Sequence, residues 1–194
     1  MLGLLTPTDP AWVDTVEGNL DALLSDHAHC ELKAAQSALA LVARFGGEAP
    51  SIVEPLLALA HEETEHFEAV HEHISGRGGA LGIPEADEYV GSLRKACRKD
   101  HGGIPPLLDR LLIHALIEAR SCERFRLLSE RLEPASLRPF YAELMQSEAR
   151  HYRLFCRLAE ELFGPEATRS RLAVLAQREA DVVERLPLGP TVHG

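Results

Sequence analysis

Apolar residues along this chain recur at spacings of three and four, and no segment keeps the period of two that a half-buried strand shows. The pattern predicts four long helices, at about residues 19–45, 51–75, 104–132 and 136–163. It also predicts a short helix near Trp12, a connector helix at about 86–99 and a final helix at about 166–185. Glycine and proline lie between these segments, where turns are expected. We therefore predict an all-α protein.

The long helices fall into two pairs, with a short turn inside each pair and a longer connector between the pairs. A short turn makes neighbouring helices antiparallel, and a long connector permits a crossover. This order predicts a ferritin-like four-helix bundle of two antiparallel hairpins, with accessory N-terminal, connector and C-terminal helices. Periodicity alone is also compatible with another antiparallel bundle. We expect residues 1–194 to form one domain, because that length suits a single core.

Two motifs are repeated between the hairpins. The first and third long helices share His-Ala-x-x-Glu-x-(Lys/Arg)-small, which places Glu31 and Glu118 at equivalent positions. The second and fourth share Glu-x-x-His-aromatic, beginning at Glu63 and Glu148. The offset is 87 residues for the first motif (31 to 118) and 85 for the second (63 to 148). Unrelated motifs have no reason to keep nearly one offset, so we interpret them as parts of one repeated unit.

Helix periodicity directs the two single carboxylates toward apolar faces. At about 100° per residue, Glu31 shares a stripe with Ala28, and Glu118 shares one with Ala115. An ionised carboxylate in such a place costs several kcal/mol unless a cation neutralises it. The Glu-x-x-His pairs project from one helix face, because their members are three residues apart.

The hairpin turns place all these groups at one height, because each turn lies midway between the two motifs of its hairpin. Four carboxylates and two imidazoles at one interior point predict a dinuclear iron or manganese centre. The predicted ligands are Glu31, Glu63, His66, Glu118, Glu148 and His151.

Residues beside these ligands have two interpretations each. Glu123 is either a further metal ligand or a group that lies beside the ligands or at the surface. His27 and His114, one turn before Glu31 and Glu118, either contact the ligands or are hydrogen-bonded core histidines. Tyr152 is either a redox or hydrogen-bonding group or a packing aromatic. We expect the cysteines at 30, 122 and 156 to fill core space.

Composition excludes several classes of protein. The chain is 45% hydrophobic and 26% charged, which is typical of a globular protein. No apolar run approaches the ~18 residues of a membrane span, and the start lacks the features of a signal peptide. The four cysteines form no Cys-x-x-Cys pair, so we expect no disulfide scaffold or zinc knuckle, and a cytoplasmic location. The net charge of −10 argues against a protein held to nucleic acid by its overall charge.

Longer motifs surround the predicted ligands. They are Leu5-Thr6-Pro7-Thr8, Asp26-His27-Ala28-His29-Cys30-Glu31, Glu62-Glu63-Thr64-Glu65-His66-Phe67, Ile117-Glu118-Ala119-Arg120-Ser121-Cys122-Glu123-Arg124-Phe125 and Ser147-Glu148-Ala149-Arg150-His151-Tyr152. Together they resemble the MiaE family, from about residue 4 to residue 160. These proteins are tRNA hydroxylases that act on 2-methylthio-isopentenyl-adenosine next to the anticodon. The run from Ile117 to Phe125 is the most specific part of the resemblance.

The resemblance implies a non-haem di-iron monooxygenase that hydroxylates the isopentenyl group of that nucleoside in tRNA. On this interpretation the six predicted ligands hold two Fe ions and are the catalytic residues, and O2 is the co-substrate. Electrons come from an external donor or reductase, because the chain has no flavin or iron–sulfur motif. The alternative is a ferritin- or rubrerythrin-like protein that oxidises iron or removes peroxide. The sequence leaves the oligomeric state open.

An acidic chain can still bind tRNA through a local group of basic residues that contact phosphates. The candidate tRNA-binding residues are Arg94, Lys95, Arg98 and Lys99 on the connector. Further arginines lie on the third and fourth long helices, at positions 120, 124, 126, 131, 150, 153 and 157. For each of these, a solvated face with salt bridges is the alternative. The modified base must be splayed out of the anticodon loop to reach an interior site.

Overall fold

The computed structural model describes residues 2–97 and 103–193, and these residues contain helices but no strand. The α-helices are α1 (Ala11–Glu17), α2 (Leu20–Phe45), α3 (Val53–Gly76), α4 (Glu88–Cys97), α5 (Pro106–Arg131), α6 (Arg138–Phe163) and α7 (Pro165–Val183). Short 3-10 turns at Pro50–Ile52 and Ala135–Leu137 precede α3 and α6. The four long helices begin and end within two residues of the predicted positions. None of the described helices has the length and apolar character needed to cross a bilayer.

Contacts group the chain into two compact units. The first comprises Gly18–Glu85 and Pro190–Val192, and the second comprises Met1–Glu17, Ala86–Gly189 and His193–Gly194. Each unit contains one of the two predicted long hairpins, α2–α3 in the first and α5–α6 in the second. The expectation that residues 1–194 form one domain stays a prediction.

The first unit is the α2–α3 hairpin together with the segment that follows it. Gly46 ends α2, where a Cβ atom would lie only 2.7 Å from the Val42 carbonyl oxygen, so the close turn requires glycine. After α3 the chain returns along α2. There the Gly82 amide donates to Ser25 Oγ (2.9 Å), and His29 Nε2 donates to the Gly82 carbonyl (2.9 Å). These bonds fix the loop against the middle of α2.

In the second unit, α5 is the central helix. It packs against α6 along its length and also contacts α1, α4 and α7. Most of its residues are buried, including charged ones such as Glu118, Arg120 and Glu123. The polar side chains that this packing buries must find their hydrogen-bond partners within the protein.

A buried network of charged and polar groups does this around Arg120. The guanidinium is fully buried and pairs with Glu123 and with Glu179 of α7, the latter at 2.8 Å. The Tyr89 hydroxyl donates to Glu179 (3.0 Å), and the Thr8 hydroxyl donates to Glu123 (2.7 Å). Burial raises the pKa of Glu179, and Arg120 opposes that rise. The network therefore joins α4, α7 and the N-terminal segment to α5.

His193 is also held by contacts within the second unit. Its Nδ1 donates to Asp87 Oδ2 (3.0 Å), and its Nε2 accepts from Ser121 Oγ (3.0 Å). The ring stacks on Tyr89 with centroids 5.3 Å apart. The sequence predicts only a polar tail here, because one histidine in a short segment gives no periodic signal.

We expect Glu179→Ala to lower the free energy of unfolding by about 3–5 kcal/mol, because it leaves a buried guanidinium without one of its carboxylate partners. Urea unfolding of the wild type, of this variant and of a control variant measures the loss of free energy. Glu130→Ala is the control, since Glu130 pairs with Arg126 at 2.9 Å on the exposed side of α5, the helix that carries Arg120. That change should cost less than about 1 kcal/mol. Equal losses in the two variants would contradict the role given to the network.

Candidate metal centre

Three of the predicted ligands converge in the first unit. Glu31 lies on α2, and Glu63 and His66 lie one turn apart on α3. Donor atoms of the three side chains lie within 4.8 Å of one another. His66 Nδ1 is 3.0 Å from Glu63 Oε2 and 4.0 Å from Glu31 Oε2. Both carboxylates are buried, with 4% of Glu31 and 0% of Glu63 exposed. We call this set the Glu31 triad.

The other three predicted ligands converge in the second unit. Glu118 lies on α5, and Glu148 and His151 lie one turn apart on α6. Their donor atoms also lie within 4.8 Å of one another, and His151 Nδ1 is 4.0 Å from Glu148 Oε1. All three side chains are buried. This set, the Glu118 triad, shows that the repeated motifs fold into the same local arrangement in each unit.

The donor set of each triad suits a divalent metal ion. Two ionised carboxylates and one neutral imidazole carry a charge of −2, and burial makes such a charge expensive unless a cation compensates it. Carboxylate oxygens combined with imidazole nitrogen favour iron or manganese over metals that prefer thiolates. Each triad therefore has the residues to hold one such ion.

His27 and His114 occupy equivalent positions in the repeat and make different contacts. His27 Nε2 donates to Glu31 Oε1 at 2.7 Å, so this histidine contacts a predicted ligand. His114 instead donates from Nδ1 to the Arg110 carbonyl (2.7 Å) and stacks on Phe155. Burial lowers the pKa of His114 from 6.5 to about 4, which makes the ring neutral at pH 7. His27 therefore contacts a predicted ligand, whereas His114 is a hydrogen-bonded histidine of the core.

Glu123 and Tyr152 also have defined surroundings. Glu123 accepts hydrogen bonds from the backbone and hydroxyl of Thr8 and pairs with Arg120, so it belongs to the buried network. Tyr152 is half-buried beside Cys156, and burial raises the pKa of its hydroxyl well above the usual value. The four cysteines form no disulfide.

Two arginines that the sequence groups with the candidate phosphate contacts are buried. Arg120 is 0% exposed and lies in the network, and Arg124 is 4% exposed. The Arg124 guanidinium lies 4.9 Å from the centre of the Trp12 ring, and burial lowers its pKa to about 10. Neither group can reach a phosphate, so for these two residues the interpretation as tRNA contacts is wrong.

The candidate tRNA-binding residues of the connector are less buried than Arg120 and Arg124 where the structure describes them. On α4, Lys95 is exposed and Arg94 is half-buried, while Arg98 and Lys99 lie outside the described residues. On α6, three arginines are exposed, at positions 150, 153 and 157.

Sequence reasoning did not identify Glu179, Asp87 or His193. For Glu179 a signal exists, because this carboxylate lies in an apolar stripe of α7 between Ala176 and Ala180, as Glu31 does on α2. Asp87 and His193 lie outside the periodic segments, where no such signal is available.

Comparisons with known proteins add independent information. A family model described as "tRNA-(MS[2]IO[6]A)-hydroxylase (MiaE)" matches residues 2–194. Two curated relatives bear the name tRNA 2-(methylsulfanyl)-N(6)-isopentenyladenosine(37) hydroxylase. The Pseudomonas putida protein is 38% identical, over 88% of this chain and 81% of its own length. The Salmonella typhimurium protein is 31% identical, over 91% of this chain and 82% of its own length.

A solved structure is similar over nearly the whole chain. It is described as "Protein 43 with aldehyde deformylating oxygenase activity from Synechococcus". It is 38% identical to this chain, has a TM-score of 0.90, and the match covers 98% of this chain and 95% of that one. Together with the helix order, this match confirms the ferritin-like fold class that the sequence predicts.

Proposed function

Because the chain belongs to the MiaE family of tRNA hydroxylases, we propose that it hydroxylates the isopentenyl group of a 2-methylthio-isopentenyl-adenosine next to the anticodon. Family membership makes the chain an enzyme and confirms the resemblance carried by its motifs. The curated relatives are named for position 37 of tRNA, which supports the same nucleoside as the substrate of this chain. A tRNA substrate also supports a cytoplasmic location.

We further propose that each triad holds one iron ion and that the two ions form one dinuclear centre, with O2 as co-substrate. The observation that carries this proposal is the repetition of two buried carboxylates beside one imidazole, which is buried for His151 and partly buried for His66. Reduced iron would supply the activation of O2 that hydroxylation of a C–H bond of the isopentenyl group requires. An external donor supplies the electrons, since the sequence contains no flavin or iron–sulfur motif.

The residues of the chain would hold the metal-binding groups in position and keep water away from them. The two carboxylates of the Glu31 triad approach His66 from different helices, and the rigidity of each helix holds them there. The low exposure of both triads keeps bulk water away from the reacting groups. Seclusion of this kind directs oxidation to a bound prenyl group and limits side reactions with solvent.

The tRNA itself requires basic groups at the surface. We propose Arg94, Lys95, Arg98 and Lys99 as contacts to its phosphates. Lys95 is exposed, and the connector concentrates four positive charges within six residues of an otherwise acidic chain. Contacts of this kind hold the nucleic acid in register while other residues recognise the base.

A second candidate function is the oxygen-dependent deformylation of an aldehyde. The observation in its favour is the Synechococcus protein, which is as similar to this chain as the Pseudomonas putida relative is. Both activities suit the same metal-binding residues, so the substrate distinguishes them: a nucleoside in tRNA in one case and an aldehyde in the other.

We expect His66→Ala and Glu148→Ala each to lower the iron content well below two ions per chain, because each removes a donor from one buried triad. Metal analysis after anaerobic loading with Fe(II) measures this content. Glu65→Ala and Glu143→Ala are matched controls, since these glutamates are exposed on the same two helices. Full iron content in both ligand variants would disprove the ligand assignment.

Nucleoside mass spectrometry of tRNA tests the substrate. We expect the hydroxyl on the prenylated adenosine to be absent from cells without this protein and restored by the wild-type chain, but not by Glu118→Ala. In parallel, the iron-loaded protein is given a long-chain aldehyde, O2 and a reductant. An unchanged tRNA profile combined with aldehyde consumption would favour the second candidate. Rapid consumption of peroxide with neither activity would favour the detoxification alternative.

Replacing Arg94, Lys95, Arg98 and Lys99 by glutamine should weaken tRNA binding and flatten its salt dependence. Each lost phosphate contact lowers the slope of log K against log salt by about 0.7–0.9. Filter binding or anisotropy across a salt series measures this slope. The charge-matched control replaces four basic residues located elsewhere, Arg44, Arg77, Arg169 and Arg185. Equal slopes for the two quadruple variants would remove the connector from the binding surface.

A further inference from the structure

The internal repeat makes His27 and His114 equivalent in sequence, since each lies four residues before a triad carboxylate. Their side chains nevertheless make different contacts. His27 is fully buried and its Nε2 lies 2.7 Å from Glu31 Oε1. His114 has Nδ1 2.7 Å from the Arg110 carbonyl oxygen, and its buried Nε2 has no hydrogen-bond partner among the described residues. The two halves of the repeat therefore differ next to their metal-binding residues.

The chemistry of the His114 ring prevents it from supporting a carboxylate. A carbonyl oxygen only accepts hydrogen bonds, so Nδ1 must carry the proton. The ring is neutral at pH 7, because burial keeps its pKa near 4. Its Nε2 then carries a lone pair and cannot donate. Stacking on Phe155, with centroids 5.3 Å apart, further fixes the ring in this orientation.

The His27 ring has the opposite role. Its Nε2–H donates to Glu31, and a carboxylate so bonded is held in one rotamer before a metal ion arrives. Hydrogen bonds to metal ligands orient those ligands and raise metal affinity. The Glu31 triad is also linked by a short contact between His66 and Glu63 of 3.0 Å, whereas the described His151–Glu148 pair of the other triad is 4.0 Å apart.

We propose that His27 is a positioning residue for Glu31, that His114 does not take this role in the other half of the repeat, and that the Glu31 triad consequently binds its metal ion more tightly than the Glu118 triad. The proposal rests on the dinuclear centre proposed above. It makes the two metal positions unequal in a protein whose ligand motifs are the same in both halves. The metal ion at the Glu118 triad is then the more readily exchanged of the two.

Titration of the metal-free full-length chain with Co(II), followed by calorimetry and by the visible spectrum, tests this proposal. We expect two binding steps for the wild type. His27→Phe, which keeps the ring volume and removes the donor, should weaken the tighter step by about 10- to 100-fold and change its Co(II) spectrum. His27→Gln, which keeps an N–H donor, should restore part of the affinity. His114→Phe is the matched control and should leave both steps unchanged.

A second pair of variants keeps the test decisive if His27→Phe does not fold. Glu31→Gln should abolish the tighter step, and Glu118→Gln should abolish the weaker one. Two equal steps in the wild type, an equal effect of His27→Phe and His114→Phe, or loss of the tighter step in Glu118→Gln would overturn the inference while leaving the dinuclear centre intact. Failure of the wild type to bind Co(II) would overturn the dinuclear centre and this inference together.

Discussion

Negative charge buried among helices is the constraint on which this structure depends, and the chain meets it in two ways. Around Arg120, two carboxylates are compensated by a guanidinium that belongs to the protein. In the triads, Glu31, Glu63 and Glu148 lie beside histidines, which are neutral when they bind a metal ion. The cation of the first arrangement is therefore a side chain of the protein. The second has the composition of a site that takes its positive charge from a metal ion.

Both arrangements meet on α5, within a few residues of one another. Glu118 belongs to a triad. Arg120 and Glu123 project from another face of the same helix and take part in the network. A helix turns by about 100° per residue, so neighbouring residues can serve different surroundings. The run from Ile117 to Phe125 therefore supplies residues to both the triad and the network. This gives a physical reason why the run is the most specific part of the resemblance to the MiaE family. The network holds α5 in place, and α5 in turn positions Glu118.

The comparisons bring together relatives named for tRNA hydroxylation and a structure described by aldehyde deformylation. One fold with one kind of donor set can serve both chemistries, because activity is decided by what reaches the metal-binding residues. The features that would select a tRNA lie at the surface rather than among the ligands. Lys95 of α4 and three arginines of α6 are exposed, whereas Arg120 and Arg124 are buried.

Helix positions and the composition of both triads were accessible from the sequence, because periodicity and i,i+3 spacing are local properties of a single helix. Partners across helices were not accessible in this way. The sequence grouped Arg120 with the candidate phosphate contacts but could not show that it pairs with Glu179 of α7. The repeat made His27 and His114 look equivalent, and only packing against Phe155 and the Arg110 carbonyl distinguished them. Spacing along a helix specifies the direction in which a side chain points, and tertiary structure decides what it meets there.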